Sequence, residues 1–278
     1  MRHHPLSLHP PTNSLAKLRI AICYLVRHQR LISFENPKAF NELVQRRKLN
    51  GRDPRMAILA DKVAVKAFVA ASLGPEWVTP TLWHGTDLPA MPDWPLPFVV
   101  KSRHGCNQNA FFPDKVADWP KVRRRARRWM KRAYGVLLDE WLYRQIPRGI
   151  LVEPFIGDPC TLPIDYKIFT YGGRATHVQV HLDRENHHRW IVFDRNWRRV
   201  SAPTADPDPT PPHSLAKMLG AAEKLGCDFD FVRCDFYEVS GKPLFGEMTF
   251  YPGSGLGKFH PVSLDLVMGN LWLAAGGT

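Results

Sequence analysis

Arg233, Asp235 and Tyr237 alternate with Val232, Cys234 and Phe236 in the segment Phe231–Val239, and Glu247 and Thr249 alternate with Gly246, Met248 and Phe250 further on. A period of two predicts strands, so each set of polar side chains shares one face and the apolar set, with Leu244, takes the other. Ser240-Gly241-Lys242-Pro243 supplies turn chemistry between them, and the pair is expected to form a β-hairpin. A three-residue loop sets Asp235 opposite Glu247, roughly 5 Å away. Two carboxylates that close repel, so either one is protonated or a cation lies between them. Oxygen donors with no nearby His or Cys favour Mg²⁺ over zinc. A solvated polar face is the alternative that the hairpin alone leaves open.

A second cluster lies in Pro97–Asn109, PFVVKSRHGCNQN. It predicts a strand that ends on Lys101 and opens into a small polar loop. Backbone N–H groups in such a loop can cradle phosphate, and the lysine adds a point charge. The G-x-x-x-x-G-K-[ST] order of a Walker A loop is absent.

The elements that must position these residues follow from periodicity and punctuation. Helices are expected at Ser14–Leu31, from Asn36-Pro37 through Lys48, at Pro54–Leu73, from Lys121 towards Arg144, and at Ser214–Leu225. Strands are expected at Val78–Leu82, Phe98–Lys101, Ala110–Pro113, Ile150–Ile156, Tyr166–Tyr171, Ala175–Leu182 and Trp190–Phe193. Helices first and then mostly antiparallel strands imply an α+β fold. The Pro203–Pro212 tract reads as a surface loop.

Composition narrows the class. The chain has 278 residues, 44% of them hydrophobic, which suffices for a full globular core. Its five cysteines form no C-x-x-C pair, which argues for a reducing compartment and against structural zinc. Arg19 interrupts the apolar run Leu18–Val26, so neither a secretion signal nor a membrane span is expected. Ser14–Leu31 suits a basic amphipathic helix, which either packs its stripe on the domain or rests on an anionic membrane surface. Net charge is +12, but Lys121–Arg132 alone holds eight Lys or Arg and no acid. A surplus gathered on one helix argues against nucleic acid as a partner. Val122, Ala126, Trp129, Met130 and Ala133 form its inward stripe, and its outer face is a solvated surface or a place for an acidic polymer.

Order along the chain links the clusters. Asp61-Lys62 starts a helix, Lys101 ends a strand, Leu151–Gly157 (LVEPFIG) follows, and Arg233-x-Asp235 with Glu247-x-Thr249 closes the series. From about Asp61 to Gly255 this order and spacing resembles the ATP-grasp superfamily, in layout the D-alanine–D-alanine ligases. In wording, including Asn36–Glu42 (NPKAFNE), Asp165-Tyr166-Lys167 and Gly246–Phe250 (GEMTF), the chain is similar to the TupA-like branch of teichuronopeptide biosynthesis.

The resemblance implies an ATP-grasp fold of two α+β subdomains, residues 61–149 and 150–278, behind a helical N-terminal segment, residues 1–60. It implies that Lys62 and Lys101 contact ATP phosphates under a mobile loop containing Gly105 and Asn107. An edge strand of Glu153, Pro154, Phe155 and Ile156 holds adenine, largely by backbone groups, and Asp165, with Asp158 as competitor, faces the ribose. Asp235, Glu247 and Thr249 are the implied Mg²⁺ ligands, and Arg233 the catalytic cation. Arg198 or Arg195 is the implied γ-phosphate base; Arg184, Gly253 and Ser254 are implied substrate contacts.

Three departures stand out. Thr249 replaces the usual Asn, Asp165 needs an insertion after the adenine strand, and about 60 helical residues replace the customary leading α/β domain. Cys106 is expected to be passive, and His177, His181, His187 and His188 to belong to a polar turn. Glu140 and Tyr143 recur in the branch's wording without a physical account. The implied activity is an ATP- and Mg²⁺-dependent carboxylate–amine ligase in cell-surface polymer synthesis, working in the cytoplasm on small or polymer-linked substrates. A sugar-hydroxyl kinase and a non-enzymatic polyanion binder are the alternatives.

Overall fold

Side-chain caps decide where the first helices begin. The computed structural model describes residues 14–131, 133–158, 161–183, 188–204 and 207–277. It opens with α1 (Ser14–His28) and α2 (Phe40–Asn50), where the Glu42 carboxylate accepts from the Lys38 and Ala39 N–H groups at 3.0 and 3.1 Å. Asp53 caps α3 (Pro54–Ala60), accepting from the Arg55 N–H at 2.9 Å, with Pro54 in the first position. The single helix expected over Pro54–Leu73 is broken. Asp61 turns its carboxylate onto the Val63 N–H at 2.9 Å and starts α4 (Ala64–Leu73), a bond that a helix-interior aspartate cannot make.

Two antiparallel sheets follow. The first has the order β1-β4-β2-β3, from β1 (Trp83–Gly85), β2 (Phe98–Ser102), β3 (Asn109–Phe112) and β4 (Ile150–Pro154). The strand expected at Val78–Leu82 is not one; Trp83–Gly85 pairs with β4 instead. That pairing makes β4 an interior strand. Its β1 side opens only from Glu153 onward, where β2 alone is paired, so the expected adenine edge is confined to the strand's last residues. Between β3 and β4 run α5 (Trp119–Lys131) and α6 (Trp141–Gln145), where one basic helix was expected to continue towards Arg144. Trp119, Ala126 and Trp129 turn inward onto the first sheet, with Val122 and Met130 partly buried beside them, whereas Ala133 is exposed.

The second sheet has the order β7-β6-β5-β8-β9, from β5 (Asp165–Tyr171), β6 (Arg174–Leu182), β7 (Arg189–Asp194), β8 (Phe231–Val239) and β9 (Lys242–Thr249). Helix α7 (Leu215–Gly226) backs it and α8 (Ser263–Ala274) ends the fold. Asp235 does pair with Glu247, by a different route from the one expected. Val239 pairs with Lys242 across a two-residue turn of Ser240 and Gly241, both left-handed at φ 51° and 72°. The register then shifts between Phe236↔Phe245 and Asp235↔Glu247, leaving Gly246 as the extra residue of a β-bulge. Since Leu244 pairs with Tyr237, the bulge also moves Leu244 onto the acidic face, against simple alternation.

Each sheet has its own apolar core. Phe98, Val100, Phe112, Trp119, Trp129 and Val152 belong to the first, while the second sheet shares a larger core with α2, α3, α4, α7 and α8. Phe40 is central to that larger core, with ring centroids 5.0 Å from Phe231 and 5.4 Å from Trp272. Arg47, buried on the same helix, donates to the Phe231 carbonyl at 2.8 Å, ion-pairs with Asp230 and lies 4.2 Å from the Trp272 ring centroid. The helices α2 and α8 approach closely at Gly269, where a Cβ would overlap the Lys38 carbonyl. Gly269→Ala is therefore expected to cost roughly 1–3 kcal/mol by overpacking, read as a lower urea midpoint at unchanged m-value.

Candidate active site

Charges of alternating sign cover one face of the second sheet. Lys167 on β5 is the register partner of Asp235 on β8, and Asp165 lies two residues before it. The Lys167 ammonium reaches Asp235 Oδ2 at 2.5 Å and Asp165 Oδ2 at 2.6 Å. Arg233 grips Asp235 with two bonds, Nε to Oδ1 and Nη2 to Oδ2, both at 2.7 Å. Its Nη2 also donates to the Thr249 hydroxyl at 3.1 Å and stands 3.5 Å from Glu247 Oε1. The Thr249 hydroxyl in turn donates a hydrogen bond to Glu247 Oε1 at 3.2 Å. Asp235 is 1% exposed, whereas the Glu247 side chain keeps 35%. Burial opposes the charge on Lys167 and Arg233, yet the neighbouring carboxylates hold both pKa values above their ordinary range.

The facing wall is cationic and belongs to α4 and the first sheet. Lys101 Nζ donates to Glu153 Oε2 at 2.7 Å, and Lys66 ion-pairs with the other oxygen of the same carboxylate. Lys66 also donates to the Thr79 carbonyl at 2.8 Å and the Thr81 hydroxyl at 2.6 Å. Burial disfavours the Glu153 charge, but Lys101 and Lys66 outweigh it and pull its pKa below the usual carboxylate value. Lys62 Nζ donates to the Gly105 carbonyl at 2.6 Å. The Gly105–Asn109 loop is tied at its base: His104 is 1% exposed, its ring bonded to the Trp129 carbonyl at 3.2 Å and the Gly149 N–H at 3.4 Å. Arg103 clamps Asp61 with Nε 2.7 Å from Oδ1, which fixes the helix start beside Lys62.

Both walls border a cleft of about 190 Å³ lined by Lys62, Lys66, Lys101, Gly105, Asn107, Glu153, Ile156, Asp165, Lys167, Asp235 and Glu247. Pro154, Phe155 and Ile156 line an adjoining cavity of about 340 Å³ together with Val99, Phe111 and Tyr237. Arg233 and Gly253 border a third, of about 230 Å³, whose walls are largely aromatic: Phe40, Phe169, Trp190 and Phe259.

Several expected residues lie elsewhere or act differently. Glu153 presents its carboxylate to two lysines, a side-chain role beyond the backbone one expected. Arg198 is exposed in the turn after β7, where its N–H donates to Asp194 Oδ1 at 2.9 Å, and it lines none of these cavities. Arg195 points to α7, 3.3 Å from Glu223. The reason is topological: β7 is the far edge of the sheet, three positions from β8. Arg184 and His187 lie outside the described residues, while His181 Nδ1 meets His188 Nε2 at 2.8 Å. Asp158 is exposed. Cys106 faces the cleft 3.7 Å from the Tyr143 hydroxyl, and burial pushes its thiol pKa up, which suits a passive residue.

Ser254 is knotted to the N-terminal helices. Gly253, Ser254 and Gly255 are all left-handed, at φ 53°, 56° and 66°. Buried Lys48 donates to Ser254 Oγ at 3.1 Å, Gln45 to its carbonyl at 2.8 Å, and buried Glu140 bonds its side chain. Burial moves Lys48 down to about 8 and Glu140 up to about 7. Sequence reasoning missed Lys66, Lys167 and Lys48. The first two left signals: Lys66 is one helical turn after Lys62, and Lys167 shares a strand face with Asp165.

The all-oxygen set Asp235, Glu247 and Thr249 fits a hard divalent ion. Among the described residues no group of three or more His, Cys, Asp or Glu could hold a metal. Two carboxylates suit Mg²⁺, which completes its shell with water and phosphate oxygens, but Arg233 and Lys167 hold both Asp235 oxygens here and would have to yield one to the ion.

A family model described as TupA-like ATPgrasp matches residues 42–273. Among solved structures, D-alanine–D-alanine ligase from Bacillus anthracis is similar at 12% identity over 86% of this chain and 72% of that one, with a TM-score of 0.46. The Helicobacter pylori enzyme gives 16%, 87%, 68% and 0.46 in the same order. An L-amino acid ligase from Bacillus licheniformis gives 15%, 72%, 42% and 0.43, so the chain spans less than half of that protein. No curated protein matches the sequence significantly.

The Glu153 carboxylate generates a pH-dependent prediction. Its folded pKa is depressed, so its contribution is present above the ordinary carboxyl range and is lost as pH falls through the folded value. Glu153→Gln should cost about 3 kcal/mol at pH 7, with two lysines left facing each other. Urea unfolding at pH 7 and at pH 3 checks this, and the difference from the parent should shrink at the lower pH.

Proposed function

The chain belongs to the TupA-like ATP-grasp family, and from that premise we propose that it is an ATP-dependent ligase joining a carboxylate to an amine. The observation that carries this reading is the register pair Asp235↔Glu247, set beside Arg233 and Lys167 and facing Lys62 and Lys101 across one cleft. Transfer of the γ-phosphoryl group to a substrate carboxylate releases ADP and leaves an acyl phosphate. An amine then attacks the acyl carbon, phosphate departs with the bonding electrons, and the amine gives up a proton.

Each residue's part follows from charge and position. Lys62 and Lys101, with Lys66 behind them, neutralise the phosphate chain, and Glu153 holds the last two in place. Asp235 and Glu247 are the carboxylates for Mg²⁺, with Thr249 oriented by Arg233. When bound, the ion neutralises charge on the transferring phosphoryl group. Asp165 is the ribose-facing acid, and Glu153–Ile156 with Phe155 supplies the adenine wall. The Gly105–Asn109 loop excludes water. Arg233 borders both the acidic face and the aromatic cavity, so it is suited to draw a substrate carboxylate towards the γ-phosphate. Gly253, on the same cavity wall, is a backbone contact for that substrate.

The sequence's likeness to the teichuronopeptide branch supports a cell-surface polysaccharide or peptide–sugar polymer as the product's destination. The need for ATP supports a cytoplasmic location. The test is ADP release across a panel of amino acids and sugar acids, with amide formation followed by mass spectrometry. Asp235→Asn and Lys101→Ala should each lower turnover by at least about 100-fold while remaining folded by circular dichroism, with Asp235→Asn melting below the parent because Arg233 and Lys167 lose their shared carboxylate. Equal turnover in either variant removes the site assignment. Stable transfer of label from γ-³²P-ATP onto a sugar hydroxyl would instead establish a kinase.

A further inference from the structure

Helix α1 carries two apolar stripes. Ala16, Ile20 and Tyr24 are buried against the domain, which satisfies the inward packing expected of an amphipathic helix. Leu18, Ile22, Leu25 and Val26 are 58%, 54%, 43% and 74% exposed. At about 100° per residue these two stripes point to opposite sides of the helix. Arg19 and Cys23 lie on the border between them and line a crevice with Leu137 and Leu138, from the loop after α5. Arg19 is ion-paired with Asp139 of that loop. Val136 and Leu137 are themselves 49% and 74% exposed, so apolar surface continues from α1 onto the loop.

The surroundings of this surface are basic. Lys17, Arg19 and Arg27 punctuate α1, and the helix contains no acid. Exposed Arg128 and Lys131 end α5. Lys131 precedes Val136 by five residues, a reach of at most about 18 Å. An aliphatic stripe flanked by Lys and Arg is the pattern of a helix lying in a bilayer interface, with its cations at headgroup level.

We propose that α1 and the Val136–Leu137 loop form a docking face for an anionic phospholipid bilayer, with α1 lying along the membrane surface. No described helix is long and apolar enough to cross a membrane, so the contact is peripheral. Charge selects this occupant over a second copy of the chain: α1 holds no acid, Asp139 is already spent on Arg19, and Lys17 and Arg27 would face the cations of the other copy. An acidic polymer would pair with the charges and leave the aliphatic stripe in water. The face shares no residue with the three cavities described above, so it stands independently of the ligase reading.

The experiment is co-sedimentation of the full chain, without nucleotide, with phosphatidylcholine vesicles containing about 30 mol% phosphatidylserine or none. The parent should partition at least about tenfold more strongly to the anionic vesicles, and raised salt should weaken that binding. Leu18→Glu with Ile22→Glu, both at exposed positions, should lower partitioning by at least about tenfold with melting unchanged. Failure of the parent to bind anionic vesicles overturns the proposal, as does undiminished binding by the double variant, which would assign adhesion to α5 charge alone. A parent that light scattering shows to be a dimer, made monomeric by the two substitutions, overturns it in favour of a second copy.

Discussion

Six side chains of the candidate site share one buried strand face, and five of them are ionisable. Such a face is tolerable in a low-dielectric interior because each of its carboxylates meets a cationic donor or a hydroxyl through at least one oxygen. Asp165, Lys167, Asp235 and Arg233 form an unbroken chain of opposite charges across β5 and β8, and Thr249 links it to Glu247 on β9. Strand registers place these groups within reach, and the core behind the sheet keeps the registers from slipping.

The same requirement explains the bulge. A regular two-residue hairpin would bring Gly246, not Glu247, opposite Asp235, and the chain of charges would lose its last acid. One extra residue restores it. A glycine suits the bulge, because a side-chain carbon on Gly246 would come to a tight 3.0 Å from the Asp235 carbonyl oxygen.

What was legible in the sequence was local and periodic. Alternation along Phe231–Val239 reveals which residues share a face, and the order of the clusters points to the family. Asp235↔Glu247 was readable as a pair although its turn was not, since one residue moved from the loop into a bulge. Period-two reasoning has no signal for that exchange. Topology was less legible: nothing local tells that β7 ends three strands from β8, so the Arg198 turn looked available to a site it does not border. Lys48 belongs to the same class. Its neighbours Glu140 and Ser254 come from two distant segments, and only the packed core brings them together.

The Gly105–Asn107 loop is hung between two fixed points. His104 is buried under α5, and Ser102 holds the Gln108 carbonyl at 2.9 Å. Only Gly105, Cys106 and Asn107 lie between them, a span of little more than about 10 Å when drawn straight. Such a short tether keeps the loop at the cleft, which Gly105, Cys106 and Asn107 all line. The rest of the wall on that side has a broader anchor, because α4 is joined to the second sheet through Val65 and Val69 in the larger core.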